Sequence, residues 1–263
     1  MSRAAVARRV NVGEGLDLAA NGYLERSKRP LAGLMLLLPL ILAYEVGTQF
    51  FTTAALHGRE QQIIAFSKMR LFFQLFGATG PHLPALAVVA TLLAWHMARR
   101  DSWNVDVGTL LGMSIESLAL SLPLFLFGVV LARYFPLMGM AVAHPLHAVS
   151  RGPARDMLIM SLGAGVYEEF VFRLACFALF SIILKDMLAV DQRRAAPLIV
   201  LVSAILFSAY HYWDTSEPFA IRIFAFRALA GVYFGVIFVL RGFGITAFTH
   251  ATYDIIFTGV FAA

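Results

Sequence analysis

Three short strings in the second half of this 263-residue chain carry side chains able to do acid, base or ligand chemistry. The first is EEFVFR, from Glu168 to Arg173; the second is FSAYHYW, from Phe207 to Trp213; the third is THATYD, from Thr249 to Asp254. Each lies in a long apolar run, where a charged side chain costs about 2.5–3.5 kcal/mol to insert and is by default a site candidate. Glu168 and Glu169 repel one another in such surroundings and are costly to hold as two charges, so one is expected to serve as a base or acid near neutral pH. Four residues separate Glu169 from Arg173, the spacing and order that suit a helical ion pair. Glu168 points about 100° away round the helix and is the freer carboxylate. The bland alternative for Glu169 and Arg173 is a buried pair that serves packing alone. His250 and Asp254, also four apart, share a helix face and can hold a water, a metal or a developing oxyanion, or simply bond to one another. His211, one turn after Phe207, falls at the end of its run and taken alone reads as a wetted boundary residue. Two Glu, one Arg, two His and one Asp drawn from three runs make a set that suits water activation and hydrolysis better than transport along a path.

The elements that must position these residues are membrane helices. Hydrophobic residues make up 60% of the chain and charged residues 14%, with a mean hydropathy of +0.76, whereas a soluble domain carries about 25% charged residues. That composition excludes a disordered chain, a collagen-like repeat and a nucleic-acid binder. The formal net charge of +5 is the balance that basic loops beside membrane spans produce. The single cysteine, Cys176, permits no intramolecular disulfide. Runs of about 20 apolar residues cross the hydrocarbon core as helices. They predict an all-α, polytopic transmembrane bundle of about seven spans, at 31–53, 83–98, 107–132, 157–184, 196–213, 219–240 and 243–261. The segment 61–76 mixes Lys68 and Arg70 with an apolar stripe and suits an interfacial helix; if it spanned, there would be eight. Residues 134–153, rich in proline and holding His144 and His147, read as an extramembrane loop. The organisation is thus a basic cytoplasmic arm over 1–30, N-terminal helices with the interfacial segment and the loop over 31–156, and a candidate catalytic core over 157–263. With the N-terminus inside, twelve Lys and Arg fall on inner segments against six on outer ones, which favours that orientation.

The three strings, in this order and on expected spans, resemble the motifs of the CPBP intramembrane proteases. That family includes the type II CAAX prenyl endopeptidase and the bacterial Abi-type, bacteriocin-processing and lysostaphin-resistance proteins. Its pattern of EExxxR, FxxxH and HxxxN or HxxxD reads here as Glu168-Glu169 with Arg173, Phe207 with His211, and His250 with Asp254. The resemblance runs from about residue 157 to the C-terminus. It implies hydrolysis of a peptide bond within or beside the membrane, with Glu168 as general base and His211 helping to hold the water. His250 and Asp254 would stabilise the oxyanion, and Glu169, Arg173 and Phe207 would support the site. Asp254 stands where the prenyl endopeptidase has Asn, whose amide can donate a hydrogen bond; an ionised carboxylate cannot, so orienting His250 is its favoured role. Glu, His and Asp are also acceptable zinc ligands, and if a metal is held, Glu168, His211 and His250 would hold it. The HExxH arrangement is absent, and a metal-free glutamate mechanism with no cofactor is the favoured reading.

The expected partners are the lipid bilayer and a membrane-anchored protein or peptide substrate, with a C-terminal sorting or prenyl-type tail as one form it could take. The expected location is a bacterial inner membrane. Counted from the predicted span ends, Glu168 lies about 11 residues, roughly 16 Å at helical rise, in from the level of His211, which favours entry from the non-cytoplasmic side. Two readings compete. One is a haem protein with His211 and His250 as axial ligands. The other is a transporter or scaffold whose polar path is lined by Glu45, Glu116 and Arg227, residues that the protease motifs leave unexplained. Their bland alternative is helix-to-helix pairing, for instance Glu116 with Arg227.

Overall fold

The computed structural model describes residues 22–58, 62–134, 154–213 and 219–261. Most of the basic arm and most of the proline-rich loop, with His144 and His147, lie outside these ranges.

A single turn at Tyr23–Arg26 leads into α1 (Pro30–Val46), with Pro30 at the start, where its missing N–H is not needed. A π-helical turn, Gly47–Phe51, and a further turn, Thr53–Leu56, extend it. Helices α2 (Ile64–Leu75), α3 (Leu83–Arg99) and α4 (Val107–Tyr134) follow. Asp106 caps α4, accepting hydrogen bonds from the Thr109 N–H at 2.8 Å and the Thr109 hydroxyl at 2.6 Å. The next stretch is discontinuous: α5 (Ala154–Gly163), π-helical Ala164–Glu168 and Phe170–Ala175, α6 (Cys176–Ser181), and π-helical Ile182–Met187. Helices α7 (Gln192–Tyr210), α8 (Ile221–Arg241) and α9 (Phe243–Phe261) complete the chain. Gly242, at φ 82°, makes the sharp turn between α8 and α9.

All seven expected runs are helical, and no strand occurs among the described residues. Four helices are long and apolar enough to cross a membrane: Pro30–Leu56, Val107–Leu131, Gln192–Tyr210 and Ile221–Arg241. Leu83–Arg99 is apolar but shorter, and the run expected over 157–184 is the one broken by π turns. Helix length and composition therefore mark an integral membrane protein with four candidate spans among the described residues. The segment expected at the interface forms α2, at 12 residues about 18 Å long and well short of a hydrocarbon core of about 30 Å. Its Ala65, Phe66 and Met69 are buried, with Phe66 against the rings of Tyr44 and Tyr167.

Helix α9 lies at the centre, packed on α1, α4, α5, α8 and the Ala164–Glu168 turn. Its residues are consequently buried on nearly every side, Ile245, Ala247, Thr249, His250, Ala251 and Asp254 among them. One apolar cluster joins α1, α2, α3 and α5 with Val166 and Tyr167; the other joins α4, α8 and α9 with Ala32 and Leu36 of α1. Small residues allow the closest approaches, as is usual where helices meet in membranes. A Cβ on Gly165 would lie 2.5 Å from the Ala251 backbone nitrogen, and one on Gly244 would lie 2.5 Å from the Gly33 Cα. The first of these contacts presses the turn that carries Glu168 directly onto the turn that carries His250.

Candidate active site

Glu169 is the one residue between two π-helical turns, Ala164–Glu168 and Phe170–Ala175. Widened turns of this kind recur at functional sites because they re-aim side chains that a regular helix would stack. Here they send the two carboxylates in different directions. Glu169, fully buried, sits 3.0 Å from Arg173 Nε through Oε2 and accepts from His250 Nδ1 at 2.7 Å through Oε1. Arg173, also fully buried, donates to the Gly231 carbonyl at 2.9 Å. Its guanidinium lies over the rings of Phe207, at 4.8 Å, and Phe234, at 5.7 Å. The i,i+4 pair expected from the sequence is therefore present, and it reaches a third partner, His250, on a different helix.

Glu168 faces a cavity of about 180 Å³, room for several waters. Tyr210, His211, Arg227, His250 and Asp254 share its lining with apolar side chains of α2, α5 and α8. The Tyr210 hydroxyl donates to Glu168 Oε1 at 2.8 Å. Glu168 Oε2 stands 3.9 Å from His211 Nε2, too far for a direct hydrogen bond and close enough for one water to touch both. His211 caps the end of α7, and its Nδ1 donates to the Phe207 carbonyl at 2.7 Å. That bond leaves Nε2 of the neutral ring as an acceptor toward the cavity. His250 stacks on Phe234 with ring centres 4.5 Å apart and planes 20° from parallel, and its Nε2 faces Asp254 Oδ2 at 3.5 Å. Phe207 packs edge-on to both His211 and His250.

All seven residues singled out from the three strings thus converge on one site, and the two i,i+4 pairs, Glu169 with Arg173 and His250 with Asp254, lie side by side as their spacing implied. The depth count does not survive. His211 and Glu168 are neighbours rather than some 16 Å apart along the bundle axis, because counting from span ends assumes straight, level helices. The Glu168 segment instead begins at Ala154 and is re-aimed by its π turns. Sequence reasoning missed Tyr210, Phe234 and Gly165. Tyr210 is adjacent to His211 in FSAYHYW, a signal that acquires meaning only once the faces of α7 are known; the other two carry no chemical signature.

The remaining intramembrane charges are settled pair by pair. Glu116 does not meet Arg227. It is held by Arg241, which also donates to Ser27 Oγ at 3.0 Å, and by the Tyr23 hydroxyl at 2.5 Å. Glu45 accepts from Tyr167 at 3.0 Å and pairs with His82 Nδ1 at 2.5 Å. Neither Glu lines the cavity. Arg227 does, and its guanidinium lies 5.3 Å over the Tyr212 ring. Glu45 and Glu116 thus lie outside the cavity that Arg227 lines, and each His250 ring nitrogen faces a carboxylate, Glu169 or Asp254. Among the described residues, no three His, Cys, Asp or Glu side chains are grouped as a metal ion requires.

The site thus combines a buried carboxylate beside a cavity, an imidazole nitrogen opposite it, and a second imidazole held between two carboxylates. Residues 150–256 match the family model described as type II CAAX prenyl endopeptidase Rce1-like, which supports the likeness of this region to the CPBP/CAAX proteases. All three motifs fall inside the matched stretch. No curated protein and no solved structure matches the chain.

Proposed function

We propose that this protein is an intramembrane endopeptidase that hydrolyses a peptide bond of a membrane-associated protein or peptide with a water activated by Glu168. The observation that carries the reading is the division of labour between the two glutamates. Glu169 is spent on Arg173 and His250, while Glu168 keeps an oxygen facing the cavity and the His211 acceptor. A water between Glu168 Oε2 and His211 Nε2 gives its proton to Glu168 as its oxygen attacks the scissile carbonyl. Negative charge then develops on that carbonyl oxygen. With Nδ1 committed to Glu169, His250 has only Nε2 to offer the cavity, and a proton there can stabilise the oxyanion. Asp254, 3.5 Å from that nitrogen, orients the ring. Glu168 returns the proton to the departing amine, the carbon–nitrogen bond breaks, and the site resets. Apolar walls exclude bulk water and strengthen each of these interactions.

The fitting substrate is a membrane-anchored chain whose cleavable peptide enters the cavity from the bilayer, such as a C-terminal sorting or prenyl-type tail. The proposed setting is a bacterial inner membrane with the N-terminus in the cytoplasm. The test compares, by mass spectrometry, the termini of membrane and exported proteins in cells carrying the wild type or Glu168→Gln at equal abundance. A defined set of processed ends is expected to vanish in the variant. Identical termini in both strains would contradict the reading.

A further inference from the structure

Tyr210 belongs to none of the three motifs' paired positions, yet it makes the only hydrogen bond that Glu168 receives from a side chain among the described residues. Its hydroxyl donates to Glu168 Oε1 at 2.8 Å. The ring itself is fixed by Phe172, 5.1 Å away, and by His211, 4.7 Å away. The order of connection is therefore the Phe172 and His211 rings, the Tyr210 ring and hydroxyl, the Glu168 carboxylate, and the cavity. A carboxylate on three rotatable bonds would otherwise be free to turn its reactive oxygen from His211. The hydroxyl pins one oxygen and so aims the other.

Resting on the reading of Glu168 as the base, we propose that Tyr210 is a positioning residue. With its ring held against Phe172 and His211, it holds Glu168 so that Oε2 faces His211. Helix α2 supplies Ile63 and Ile64 to the cavity wall. Its docking on Tyr44 and Tyr167 through Phe66 thus shapes the cavity that Glu168 faces.

The experiment uses the full-length protein in lipid nanodiscs and, as probe, an internally quenched peptide spanning a terminus lost in the Glu168→Gln cells. Tyr210→Phe keeps both ring contacts and removes only the hydroxyl. It is expected to lower kcat by 10- to 100-fold, with KM within twofold and the thermal midpoint unchanged. The second arm places Tyr210→Phe in a Glu168→Asp background, where the shortened carboxylate no longer reaches the hydroxyl. No further loss of kcat is expected there, since interacting residues give non-additive effects. Three results would overturn the proposal: a Tyr210→Phe kcat within twofold of wild type, a change confined to KM, or an equal loss in both backgrounds. Each leaves the reading of Glu168 standing. If instead Glu168→Gln itself cleaves the probe at the wild-type rate, that reading falls and the positioning role falls with it.

Discussion

Two glutamate–arginine clusters sit in this bundle, and they differ in what is left over. At one end, Glu116 on α4 is closed off completely: Arg241 grips it, Tyr23 donates to it, and Arg241 also reaches Ser27. The side chains are partly exposed, at 25% for Glu116 and 13% for Arg241. The cluster ties the stretch before α1 to α4 and α8. Burial and the Glu116 contact push the Tyr23 phenol up to about 12, so it remains a donor at any physiological pH. In the middle of the bundle, Glu169 and Arg173 are equally well paired and fully buried, but the neighbouring Glu168 remains, turned toward a cavity with a histidine opposite. A charge inside apolar helices is therefore not enough to mark a reactive site. The mark is a carboxylate that the local pairing does not consume.

The contrast can be broken in graded ways. The largest structural effect is expected for Glu169→Gln, which leaves Arg173 fully buried without its counter-charge. Removing one partner of a buried pair costs about 3–5 kcal/mol, so the thermal midpoint should fall steeply and activity with it. Next comes Gly165→Ala. Its Cβ would meet the Ala251 backbone at 2.5 Å, which overpacking makes worth roughly 1–3 kcal/mol. The displacement of α9 it forces should lower the turnover of any assembled protein by about 10²-fold. Glu116→Gln should cost about 1 kcal/mol, since its hydrogen bonds are charge-assisted but partly wet. It should leave turnover within twofold; a loss as complete as that of Glu168→Gln would favour the transport reading. The smallest effect concerns Asp106, whose carboxyl is held below its ordinary range by the Thr109 hydroxyl and N–H, with Arg26 assisting. A depressed carboxylate contributes stability above its unfolded pKa and loses it as pH falls through the folded value. The wild-type thermal midpoint should therefore drop more than that of Asp106→Asn between about pH 5 and pH 3. Parallel profiles would show that the cap does not titrate.

Spacing made much of the site legible. Glu169 with Arg173 and His250 with Asp254 lie four apart on helices, and side-chain contact at that interval follows from helix geometry alone. The pairing of Glu169 with His250 and of Glu168 with Tyr210 joins residues 81 and 42 positions apart, which no local rule supplies. The π turns were equally invisible, because AGVYE and FVFRLA have the composition of any apolar helix. Arg227 and Arg241 both sit on α8, near opposite ends; which one meets Glu116 is decided by how α4 crosses α8. The packing of α9 against α1, α4, α5 and α8 was likewise not legible, since a buried central helix and a lipid-facing one are both apolar runs.

The central claim is that Glu168 and Glu169 do different work. It is tested most directly by measuring probe cleavage and thermal unfolding together on purified Glu168→Gln and Glu169→Gln. Glu168→Gln is expected to lose about 10²–10⁴-fold in turnover, the scale of a general base, with its thermal midpoint unchanged or higher. Glu169→Gln is expected to unfold at a clearly lower temperature. A Glu168→Gln protein that cleaves at the wild-type rate, or two variants that lose stability alike, would contradict the account.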